Sequence, residues 1–117
     1  MQSVTSNAVA ERFDKFDYSE NEVNTGRKWI DDKPIYTKVV NIGNATISTN
    51  NSYNHNISNL GTVIKLTRHF MYNNNHYMFW DDNMTWTVTS SKINISGVTS
   101  LSVSQLFFII EYTKTID

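Results

Sequence analysis

Along the first sixteen residues the apolar positions recur at helical spacing, with Val9, Phe13 and Phe16 falling together with Thr5 on one face. Ser3 or Ser6 can cap the first turn, so a short helix is predicted over Ser3 to Phe16. A helix of that length is marginal in water and needs a surface to lie against. Val9, Phe13 and Phe16 are its candidate contact residues, either with the body of the domain or with equivalent helices of other subunits.

From Glu22 onward the period changes to two. Arg27 to Ile30 and Pro34 to Ile42 read as two strands around a tight turn at Asp31-Asp32-Lys33, since Asp tolerates the positive φ that such turns require. Pro34 cannot donate to a ladder and is expected at a strand start or edge. Asn41 to Leu60 is too polar for a continuous buried strand; a long surface excursion is expected, with a short strand at Ala45 to Ser48.

Thr62 to Tyr72 alternates again. Ile64, Leu66, Phe70 and Tyr72 fall on one face and Lys65, Thr67 and His69 on the other. Its expected partner, after an Asn73-Asn74-Asn75 turn, is His76 to Trp80. Met84, Trp86 and Val88 alternate with threonines, and Ile93 and Ile95 mark another short strand.

The last segment, Gln105 to Thr115, sends Leu106, Phe108, Ile110 and Tyr112 to one side. Phe107 and Ile109 make its other side apolar too, which is expected of a central strand or one at a subunit contact. Short strands with turns every 8–12 residues predict an all-β fold, a β-sandwich of jelly-roll type. The division that follows is a helical segment over 1–20 and a β-sandwich domain over 21–117.

Composition changes this picture in three ways. Only 39% of the 117 residues are hydrophobic, against roughly 45–50% in typical soluble domains, so the core is lean and help from neighbouring copies is expected. A net charge of −1 gives no basic field for nucleic acid or anionic lipid. With no cysteine the chain has neither disulfides nor thiolate metal sites, and no cofactor is expected.

No signal peptide or membrane-spanning run is present in the sequence, so no membrane insertion is expected. The excess of Asn has a bland explanation in an AT-rich genome. Sequons at Asn44, Asn50, Asn56, Asn83 and Asn94 arise by chance in such a chain.

Motifs for catalysis are missing from the sequence: it has no G-x-S-x-G, no Gly-rich phosphate loop and no H-E-x-x-H. The pairs Asp31-Asp32 and Asp81-Asp82 read as solvated turn residues, because adjacent carboxylates do not specify the spacing a glycosidase needs. A calcium site at Asp81, Asp82 and Asn83 matches no EF-hand spacing, and His55, His69 and His76 match no zinc pattern. The chain is therefore read as non-catalytic.

An aromatic cluster is the remaining candidate. Tyr72, His76, Tyr77, Trp80 and Trp86 lie on one hairpin and its successor strand, beside Asp81 and Asn83. Sugars stack their apolar faces on such rings while Asp and Asn supply polar contacts, so these seven residues are the candidate saccharide site, with Tyr53 and His55 second. Core packing competes for the same rings.

Three stretches together, QSVTSNAVAE at the start, NTGRKWIDDKPIYTKVV in the hairpin and IIEYTKTID at the end, resemble the C-terminal module of bacteriophage and prophage tail-fibre or tail-tip proteins. The likeness covers Gln2 to about Val40 and Ile109 to Asp117; the middle has no residue-by-residue match. Asp32 stands where that family usually has Gly, and Ile116 where it usually has Thr.

The resemblance implies a virion tail protein made in the bacterial host cytoplasm. It also implies a homotrimer whose N-terminal helix continues a fibre shaft and whose sandwich forms the tip. A role in host attachment, through a bacterial surface glycan, goes with it. On this view Met1 opens a fragment of a longer protein, and Phe107 and Ile109 join Val9, Phe13 and Phe16 as subunit contacts. The rival expectation is a carbohydrate-binding module of a secreted bacterial polysaccharide-degrading enzyme, which explains the strands and aromatics equally well.

Overall fold

The computed structural model describes residues 18–77, 84–97 and 100–116. They form ten strands: β1 (Val23–Lys28), β2 (Pro34–Asn41), β3 (Ala45–Ile47), β4 (Ser52–Asn54), β5 (Leu60–Tyr72), β6 (Asn75–Tyr77), β7 (Thr85–Val88), β8 (Lys92–Ser96), β9 (Leu101–Val103) and β10 (Gln105–Lys114). The described residues contain no helix. The helix expected over Ser3 to Phe16 lies outside them.

Three antiparallel sheets result, with orders β1-β2-β10-β5-β6, β4-β8-β7 and β3-β9. β10 sits in the middle of the largest, paired with β2 through Phe108↔Val40 and with β5 through Phe108↔Arg68. Alternation decides its faces. Leu106, Phe108, Ile110 and Tyr112 are all fully buried, and they form one cluster with Val40, Phe70, Ile47, Ile93, Ile95 and Val103 drawn from all three sheets. The core therefore lies between the five-stranded sheet on one side and the two smaller sheets on the other. Rings join the layers: Tyr53 of β4 lies 6.0 Å from Phe108, and Trp86 of β7 meets the same ring edge-on at 5.3 Å.

Asparagine makes the turns. Among the described residues six non-glycine ones have positive φ, namely Asp32, Asn50, Asn56, Asn59, Asn73 and Asn74, and five of them are Asn, the side chain that tolerates this region best apart from Gly. Asn73 and Asn74 alone link β5 to β6, with Tyr72 paired to Asn75, which is the two-residue hairpin that needs positive φ at both positions. The Asn excess thus has a structural use at these corners, beyond any bias of the genome.

Three expectations need correction. Residues 41–60 are not a surface excursion: Ile47 and His55 are fully buried and Ile57 nearly so, with β3 and β4 between the turns. The first hairpin strand ends at Lys28 and not Ile30, whose side chain is 91% exposed in a five-residue turn.

In β5 the register shifts between Lys65↔Glu111 and Val63↔Tyr112. Ile64 is the extra residue of that bulge, so Val63 packs on the core in the place expected for Ile64. The partner strand β6 runs from Asn75 to Tyr77, and the rest of the expected strand, to Trp80, lies outside the described residues. At the opposite edge of the sheet, β1 pairs irregularly between Asn24 and Lys28 around Gly26, whose φ is 81°. The twist this gives discourages another strand from adding to the edge.

Candidate functional site

Strand β10 is apolar on both sides, and only one side is used by the core. On the outer face Phe107 and Ile109 stand half-buried beside Val39 of β2, their register partners being Asn41 and Val39. With Tyr18, Asn41 and Gln105 these residues line an open groove of about 400 Å³. Tyr18, 69% exposed, reaches it because the next residue is pinned: the Val39 amide donates to the Ser19 carbonyl at 2.7 Å. The groove is therefore an apolar floor with the incoming chain at its rim.

Polar pairs bound this floor. At one end the Arg27 guanidinium meets Glu111 at 2.8 Å, an exposed pair of the kind that contributes little to stability but keeps the surface hydrated. Along the side, His69 of β5 stacks on Phe107 with centroids 4.8 Å apart, and its Nε2 lies 2.8 Å from Nδ1 of His76 on β6. Burial, and after it the neighbouring His76, pushes the His69 imidazole below its ordinary range, because both disfavour its cation.

Close by, Glu22 ties β10 down on its way into the sheet. It accepts the Tyr112 hydroxyl at 2.5 Å and the Lys114 ammonium at 2.7 Å. Burial, followed by the hydrogen bond to Glu22 and that carboxylate's charge, pushes the Tyr112 phenol far above its usual value.

The candidate saccharide residues divide. Tyr72, Tyr77 and Trp86 pack against the core, Tyr77 stacking on Phe70 at 5.6 Å. Trp86 is held between Phe108 and Arg68, whose guanidinium carbon lies 5.7 Å from the ring centre. His76 is exposed and paired with His69, while Trp80, Asp81 and Asn83 lie outside the described residues. These three rings are thus partly buried, and one buried oddity sits here: the Trp86 indole Nε1 and Arg68 Nε have no hydrogen-bond partner among the described residues.

His55, the second-rank candidate, is a core residue: its Nδ1 accepts the Ile57 amide at 3.1 Å and its Nε2 donates to the Thr89 carbonyl at 2.8 Å. Both ring nitrogens are thereby used, and Tyr53 beside it donates its hydroxyl to the Thr46 carbonyl at 3.0 Å. Sequence reasoning took His55 for a surface residue because its neighbours Asn54 and Asn56 are polar.

A second, polar depression of about 210 Å³ lies between Glu20, Lys38, Asn54 and Asn56. Its cation is occupied, since Lys38 donates to the Asn56 carbonyl at 2.9 Å. Among the described residues no three His, Cys, Asp or Glu side chains gather closely enough to hold a metal ion. Of the candidate contact residues, Phe107 and Ile109 share the groove, whereas Val9, Phe13 and Phe16 lie outside the described residues. Tyr18 was missed, for it stands alone in the polar stretch Asp17 to Asn21 and no periodicity marks it.

Comparison with known proteins finds no matching family, no similar characterised protein and no similar solved structure.

Proposed function

We propose that the chain is the non-catalytic end module of a bacteriophage tail fibre or tail tip, a virion structural domain that works as a homotrimer. One observation carries this reading: a central strand that is apolar on both faces, with one face in the core and the other on an open groove. A stretch of sheet that spends Phe107 and Ile109 on its outer side is made to be covered by protein. The three sequence stretches that resemble tail-fibre C-terminal modules supply the identity of the assembly. On the same reading the facing sheets are a jelly-roll-like β-sandwich preceded by a short shaft helix.

The Asp31-Asp32 turn fits the resemblance in detail. Asp32 has φ of 70°, so the position where that family usually carries Gly is one that favours Gly. Size-exclusion chromatography with light scattering tests the assembly: a mass three times that of the 13.5 kDa chain is expected, and a monomer at micromolar concentration would sink the proposal.

Attachment to a host-surface glycan is the role proposed for the tip. The inward packing of Tyr72, Tyr77 and Trp86 leaves His76, with Trp80, Asp81 and Asn83, as the residues to carry it. A glycan array probed with the intact protein and with Trp80→Ala is the check; binding that survives the substitution places the saccharide elsewhere.

A further inference from the structure

Resting on the reading of the outer groove as a covered surface, we infer that its first occupant is the chain's own preceding segment, with Phe16 and Phe13 seated over Phe107, Ile109 and Val39. Covalent geometry does most of the placing. Tyr18 already lines the groove and Ser19 is hydrogen-bonded to β2, so the α-carbon of Phe16, two peptide units upstream of Tyr18, lies within about 7.6 Å of Tyr18's. An aromatic side chain held that close to an apolar floor buries itself there.

Phe13 follows on the same face, three positions away, if the segment takes the helical form its spacing predicts. The groove of about 400 Å³ has room for both rings, since a cavity of about 150 Å³ accepts a benzene molecule. The polar residues between them fit as well: Asp14 and Lys15 fall on the other side, toward water. Val9, a further turn away, is left for neighbouring copies. The groove thereby fixes the angle at which the segment joins the sandwich, and the trimer forms around a composite face of helix and sheet.

The absence of cysteine gives a clean test in the full chain. A double variant that keeps both rings, Asp14→Cys with Gln105→Cys, is treated with a short bis-maleimide beside a control pairing Asp14→Cys with Lys92→Cys, on the opposite layer. The expected result is a link within one chain, several-fold more abundant for Gln105 than for Lys92. Links between chains would overturn the inference by assigning the groove to another copy, and so would equal or absent linking in a protein of native circular dichroism.

Light scattering of the same sample separates the two readings. A monomer with the internal link ends the trimer and leaves the inference, while a trimer linked only between chains does the reverse. As a second measurement, Phe13→Ala/Phe16→Ala is expected to raise the fluorescence of an apolar dye several-fold by uncovering Phe107. No increase would count against the docking whether or not the cysteine variants fold.

Discussion

At Asp32 the backbone adopts φ of 70° in a turn closed by the Asp32 amide donating to the Trp29 carbonyl at 2.9 Å and the Trp29 amide donating to the Lys33 carbonyl at 2.9 Å. Its contact with Lys28 is 3.4 Å long between exposed groups and stabilises little. Relief of backbone strain outweighs that loss, so Asp32→Gly is expected to stabilise the fold by about 0.5–1 kcal/mol, read as a raised melting temperature.

The paired imidazoles set a pH dependence. His69 has a lowered pKa in the fold, so above its ordinary value of about 6.5 it is neutral both folded and unfolded, and the full stability is present. Below that pH the unfolded chain takes up a proton that the folded one resists, and stability falls. Urea titrations between pH 7.5 and 5 are expected to show this fall, flattened by His69→Gln and flattened less by His76→Gln, since burial is the larger cause.

Among the elements, β10 concentrates the packing. Phe108 is fully buried and contacts rings from β4 and β7, so Phe108→Ala is expected to cost about 3–5 kcal/mol and to lower the denaturant midpoint steeply. Phe107→Asp acts on the other face of the same strand. On the proposed trimer this face is covered and a charge there costs several kcal/mol, so light scattering is expected to show dissociation while β-rich circular dichroism persists. Retention of the assembled mass would place the subunit contact away from this face.

The two faces of β10 were legible in the sequence because Leu106 to Tyr112 holds strict alternation among bulky side chains. The hairpin at Asn73-Asn74 was legible in outline from its turn chemistry. The bulge at Ile64 was not, since a single inserted residue leaves composition unchanged and shifts the period only locally. Residues 41–60 were misread for a related reason: Ile47, His55 and Ile57 are spread among turn-forming asparagines, and no run of apolar residues announces that they meet. Of the groove, Phe107 and Ile109 could be read from the two-sided pattern, whereas Tyr18 is there only because of the bond between Ser19 and Val39.

For the molecule as a whole, the order β1-β2-β10-β5-β6 has a consequence in time. Strands β2 and β5 are never neighbours; they meet only when β10 slots between them, bringing residue 108 against both residue 40 and residue 68. Closing loops of that span before any contact rewards them makes for a slow folder, in the millisecond-to-second regime of sheets built from distant pairings. Until the insertion occurs, two long ladders stand with unsatisfied amides and carbonyls, the state most prone to joining a stranger. Crowded synthesis would turn that delay into a race between maturation and clumping.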